Sequence, residues 1–199
     1  MRNIVKAVLI VVLGLAFGAV SSLSNAVSSP YNDLGAPLTG TLWASAALVV
    51  SLVLNAGWAW AGLAVVAGRL TGALGRGAAA GMSALLAASV AYYASDAVLR
   101  PEPFGLFDQG RPWLAVSLVL GPGLGAVGAL AARSGWVGLL AGLTVPVGAV
   151  TETVLLPRGN GVLAAAPLMA GIQICVVAAA VAAAALLSAR FAATRRRTA

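Results

Sequence analysis

Six stretches of this chain are predominantly apolar for about 18 residues or more, the length a helix needs to cross a bilayer core. They cover residues 4–23, 41–68, 77–99, 113–132, 135–156 and 161–189. In hydrocarbon every backbone N–H and C=O must be paired inside the protein, so runs of this length are helices. The pattern predicts an all-α fold: one polytopic bundle of six transmembrane helices, with residues 190–199 as a basic tail. The longest segments between runs, 24–40 and 100–112, are too short to hold a further domain. Only 9% of residues are charged, against about 25% in an average soluble domain.

Charge sets the expected orientation. With the N-terminus inside, Arg2, Lys6, Arg69, Arg76, Arg133, Arg190, Arg195, Arg196 and Arg197 fall on the cytoplasmic side. Only Arg100, Arg111 and Arg158 fall outside. The excess of basic residues favours N-in, C-in. All five acids (Asp33, Asp96, Glu102, Asp108 and Glu152) then lie in outer loops or at outer helix ends. The net charge of +7 reads as this asymmetry, so no nucleic acid is expected as a partner.

Two segments leave alternatives open. Arg2, Lys6, the first apolar run and Ser24-Asn25-Ala26 also fit a cleaved signal peptide, which would leave five helices. The run is longer than the usual 7–15 residues or so of a signal core. Its Gly14, Gly18 and Ser22 form a small-residue face suited to helix packing. The second span, at 41–68, would be about 42 Å long as a straight helix against about 30 Å of hydrocarbon. It must tilt, project or bend, and Gly57 and Gly62 would allow a bend.

Much chemistry is absent. There is no histidine, and Lys6 is the single lysine. Cys175 is the single cysteine, which leaves no intramolecular disulfide and no thiolate cluster. Deep in the sixth run, it reads as a small packing residue. Catalysis would rest on a few carboxylates, and a metal held by oxygen alone wants about six ligands. No enzyme activity, cofactor or metal is expected.

Polar residues within spans are costly, which makes each a candidate for function. Asn55 sits fourteen positions into the second run, near its middle. Asp96 and Glu152 lie near the outer ends of the third and fifth, and Gln173 lies well inside the sixth. Together they suggest an outward-facing, acid-lined cavity for a cationic or hydrogen-bonding solute. Structural roles compete: Asp96 and Arg100 are spaced to pair on one helix, Glu152 is near Arg158, and Asn55 and Gln173 can bond across helices.

Pro122 and Pro146 fall at similar depth in adjacent spans. They suggest helix breaks lining a cavity, as in transporters with discontinuous helices, or plain kinks in packing. Gly123, Gly125 and Gly128 match G-x-G-x-x-G. A dinucleotide site needs a strand before it and an acid about 20 residues on; this match lies inside a span and reads as close helix packing. Trp43, Trp113, Tyr92 and Tyr93 read as an outer aromatic belt and Trp136 as an inner one. Trp58 and Trp60, deeper and beside Asn55, read as core. The Arg195-Arg196-Arg197 tail is suited to anionic lipid.

Tyr92-Tyr93-Ala94-Ser95-Asp96, Leu120-Gly121-Pro122-Gly123-Leu124-Gly125 running to Ala132-Arg133, and Thr144-Val145-Pro146 followed by Glu152 resemble an actinobacterial family of short multi-helix membrane proteins of unknown function. The resemblance implies a multi-pass protein of a bacterial plasma membrane and carries no functional residues. By size and span number alone the chain is also similar to the substrate-binding subunits of energy-coupling-factor transporters. There a small-residue first helix docks a partner, the role open here to Gly14 and Gly18. Two expectations follow: binding or transport of a small solute through Asn55, Asp96, Glu152 and Gln173, or a non-transporting accessory subunit in the bilayer.

Overall fold

A computed structural model describes residues 2–99, 106–155 and 167–198. Those residues form seven α-helices: α1 (Arg2–Ser28), α2 (Leu42–Leu54), α3 (Gly57–Thr71), α4 (Leu74–Leu99), α5 (Leu106–Ala131), α6 (Trp136–Leu155) and α7 (Pro167–Thr198). Five are long and apolar enough to cross a membrane, and α2 with α3, bent by 64° at their junction, makes a sixth if the pair is one span. Arg100, Glu102 and Arg158 lie outside the described residues.

The bundle packs through its smallest side chains. Its buried apolar residues are nearly all alanine, with Ile10, Val65 and Leu85 the larger exceptions. Large residues such as Val8, Val119, Leu140 and Ile174 face outward. Lipid tails are as apolar as leucine, so helices in a bilayer gain by close backbone approach rather than by hiding large apolar groups. Gly14 and Gly18 of α1 lie against Ala84 and Ala88 of α4, where a Cβ would strike backbone. Gly125 of α5 meets Gly68 of α3 together with Gly77 and Gly81 of α4. Ser89 and Ser117 join α4 to α5 at 3.0 Å. α6 packs on α3 and α5, and α7 packs on α6.

These contacts set the directions. α1 and α4 run parallel; α3 runs antiparallel to α1, with Trp60 against Phe17 (5.3 Å) and the Leu70 carbonyl accepting from Lys6 Nζ (2.6 Å). Lys6, Arg69, Arg76 and Arg133 thus share one end of the bundle, and Asp33, Asp96 and Glu152 lie toward the other. At the acidic end Asn32 Nδ2 donates to the Leu99 carbonyl (3.2 Å), satisfying part of the open last turn of α4.

Several sequence expectations are corrected. The span at 41–68 is not one helix but two, parted at Asn55-Ala56. Gly57 sits at this break, whereas Gly62 lies within α3 facing Val145 of α6. α5 and α6 are not broken at Pro122 or Pro146 but continue through both. The expected loop at 100–112 is already helical from Leu106, and the tail at 190–199 is helical to Thr198. Alanine and arginine are strong helix formers, so nothing ends α7 at the membrane surface. Trp136 packs against Phe191 with ring centroids 4.6 Å apart and planes tilted by 52°, and the Arg195 guanidinium lies over both rings. Cys175 is exposed on α7 rather than packed, because α7 meets the bundle mainly through α6. Gly125 and Gly128 serve helix packing, and the first glycine of that motif, Gly123, has open space around it.

Candidate functional site

The break between α2 and α3 leaves backbone groups unpaired within a span. Asn55 ends α2, its N–H donating to the Ser51 carbonyl at 2.9 Å. Ala56 turns extended, with ψ of 139°, and precedes α3 at the cap position. Alanine has no side-chain acceptor, so the first amides of α3 have no local cap.

Glu152 of α6 supplies it. Its Oε1 accepts from the Gly57 N–H at 2.9 Å, and its Oε2 from the Trp58 N–H at 2.8 Å. A carboxylate astride a helix N-terminus satisfies two open donors and meets the positive end of the helix dipole. A Cβ at Gly57 would lie 3.0 Å from Glu152 Oε2. Glycine there lets the carboxylate close on the backbone.

The N-terminal side of the break, the end of α2, is tied to α1. Asn25 Oδ1 accepts from Ser51 Oγ and from Asn55 Nδ2, the latter at 3.1 Å. Asn25 Nδ2 donates to the Tyr92 hydroxyl at 2.7 Å. Tyr92 in turn meets Trp60 edge-on at 6.4 Å and Tyr93 at 5.1 Å. One amide therefore holds α1, α2 and α4 together at the break. Interhelical hydrogen bonds in membranes average about 0.6 kcal/mol each. Asn25→Leu removes three and is expected to lower stability by about 2 kcal/mol, read as a fall in thermal midpoint in detergent. A midpoint equal to that of the wild type would show that the break stands without this amide.

Trp60 against Phe17 and Leu70 against Lys6 make α1 a ruler for depth. On that ruler Gly57 lies level with about residue 20 of α1, roughly 5 Å within the apolar run that ends at Leu23. The shallow position keeps the Glu152 carboxylate near the interface, where burial of charge costs less.

The expected site residues separate into three places. Glu152 and Gln173 come together, lining one cavity of about 50 Å³ with Leu52, Trp58, Thr153 and Ile172. Glu152 also borders a broad groove between α3 and α6, beside Gly57, Thr144 and Gly148. Asn55 is not at mid-span but near the acidic end, engaged with Asn25, because α2 bends away from α3. Asp96 lies one turn beyond Tyr92 on α4 and does not line this cavity. Pro122 does not line it either, nor does Pro146.

Asn25 is the residue the sequence reading did not select. Beside Ser24 and Ala26 it looked like part of a cleavage site. Its signal was an amide at the acidic end of a span whose small-residue face meets other helices. Tyr92, read as belt, is instead hydrogen-bonded within the bundle. No protein-family model, curated protein or solved structure matches this chain.

Proposed function

We propose that this membrane protein binds, and moves, a small cationic or hydrogen-bonding solute at the broken span. The observation that carries the reading is the meeting of Glu152, Trp58 and Gln173 on one cavity beside the start of α3. A carboxylate oxygen has two lone pairs and can accept from a solute as well as from an amide. The Trp58 indole can face a cation, and Gln173 offers both a donor and an acceptor. At about 50 Å³ the cavity holds a few waters, or the head of an amine. Binding that drew Glu152 toward a cation would loosen the cap on α3, coupling occupancy to the bend. The reading is of a binding or transport protein rather than an enzyme, and it places the chain in a bacterial plasma membrane.

The test is a thermal-shift screen in nanodiscs against inorganic cations, amines, amino acids and vitamins. A solute at about 100 times its Kd should stabilise the wild type by about 2.7 kcal/mol. Glu152→Gln and Gln173→Leu are each expected to lose that increment while still inserting in the membrane. A solute that stabilises both variants as well as it does the wild type would sink the assignment.

A second reading, an accessory subunit, rests on α7, whose apolar stretch is almost wholly exposed. Gly14 and Gly18 are already packed on α4, so a partner would meet α7. It predicts a partner retained in mild detergent and released by Val181→Arg.

A further inference from the structure

The basic end of the bundle carries a second cavity, formed where α1 and α4 part. At Gly14–Ala84 and Gly18–Ala88 the two backbones touch. One and two turns back toward the N-termini, the same register sets Ile10 beside Ala80 and Lys6 beside Arg76. These larger side chains hold the helices apart and leave a cleft of about 240 Å³, lined by all four residues. Its wall is apolar, with Val11 and Ala79 exposed along it. Its mouth carries the two cations and the polar Asn3 and Thr71.

The electrostatics of the mouth are one-sided. Lys6 Nζ donates to the Leu70 carbonyl at 2.6 Å, and that carbonyl brings no full negative charge. The sequence holds no Asp or Glu before Asp33 and none between Asp33 and Asp96. Because α1 and α4 are parallel, both begin at this end, and their two positive dipole ends outnumber the one negative end of α3 there. Arg69, on the last turn of α3, adds more.

We infer that this cleft binds an anionic phospholipid from the leaflet at the basic end. The phosphodiester lies between Lys6 and Arg76, and an acyl chain lies along Ile10, Val11 and Ala79. Two facing cations with no carboxylate near them among the described residues call for an anion, and the apolar wall running inward from them calls for a chain attached to it. A zwitterionic head would bring an ammonium to a site that has no acid to receive it among the described residues.

The experiment loads the full chain into nanodiscs of mixed phosphatidylglycerol and phosphatidylcholine. After extraction into mild detergent, retained lipid is counted by native mass spectrometry. The wild type is expected to retain phosphatidylglycerol selectively. Arg76→Gln should reduce that retention about five-fold, the worth of one cation near an anionic lipid surface. Ala79→Phe, which fills the apolar wall and keeps both charges, should reduce it at least as far. These two variants carry the test, because Lys6→Gln also removes the bond to Leu70. Arg196→Gln, in the exposed tail, should retain the lipid.

Equal retention of phosphatidylcholine would overturn the inference. So would an equal loss in Arg196→Gln, which means diffuse attraction, or undiminished retention in Ala79→Phe. Soluble glycerol phosphate is added separately to protein in phosphatidylcholine nanodiscs. If it raises the thermal midpoint as far as phosphatidylglycerol does, the site takes a free phosphate and not a lipid.

Discussion

Gly125→Leu is expected to abolish the folded bundle, whereas Gly123→Leu, two residues away, leaves it standing. A Cβ at Gly125 would fall on the Gly77 carbonyl and within 2.9 Å of the Gly81 Cα. The carbonyl of Gly125 itself is where a Cβ on Gly68 of α3 would lie. α5 therefore touches two helices backbone to backbone at one residue, and neither contact can give by turning a side chain. Overpacking an ordinary core costs about 1–3 kcal/mol through side-chain and backbone shifts. Here the backbones of α4 and α5 must separate, so the expected loss is at least about 3 kcal/mol, seen as aggregation on size exclusion or loss of a cooperative thermal transition. A Cβ at Gly123 meets nothing within 4 Å, and the expected change there is within about 0.5 kcal/mol. The pair also separates two meanings of the glycine motif. Phosphate binding would need Gly123 for its tight turn; helix packing does not use it. Loss of the fold in Gly123→Leu, with Gly125→Leu tolerated, would reverse the packing assignment.

Glu152→Leu is expected to cost about 2–4 kcal/mol, the second-largest effect. It removes two hydrogen bonds to a charged acceptor, each worth about 1.5–3 kcal/mol, and relieves some of the cost of placing a carboxylate within a span. What remains is a pair of amides, on Gly57 and Trp58, with no local acceptor, because Ala56 cannot cap. Glu152→Gln should fall between, since its carbonyl oxygen can accept from one amide while its NH₂ faces the other. Trp58 reports the change directly: its fluorescence should shift as the start of α3 loosens, before global unfolding. If the Leu variant matched the wild type in both midpoint and fluorescence, the break would be held by Asn25 and packing alone.

These two predictions rest on information of different reach. The crowding at Gly125 was partly legible, because clustered glycines in a span announce close packing. Which helices close on them was not. The capping of α3 had no local sign. Ala56-Gly57-Trp58 lacks any capping residue, and the acceptor comes from 95 positions away in the chain. Pro122 and Pro146 were the plainest candidates for breaks, yet α5 and α6 run through both. A membrane helix tolerates proline where neighbouring groups satisfy the carbonyl it frees.

The sequence by itself determined that the chain is a membrane-embedded helical bundle, roughly where its spans lie, and which helix ends are basic. Hydropathy and charge are properties of consecutive residues, and the bilayer reads them locally. Tertiary structure alone decided that the second span breaks at Asn55-Ala56 rather than bending smoothly. It decided too that Asn25 joins three helices there, and that Glu152 and Gln173 share a cavity while Asn55 and Asp96 lie elsewhere. The reason is the low dielectric. An unpaired amide in a span must find an acceptor somewhere in the fold, and only the packing of α6 against α3 brings one within reach.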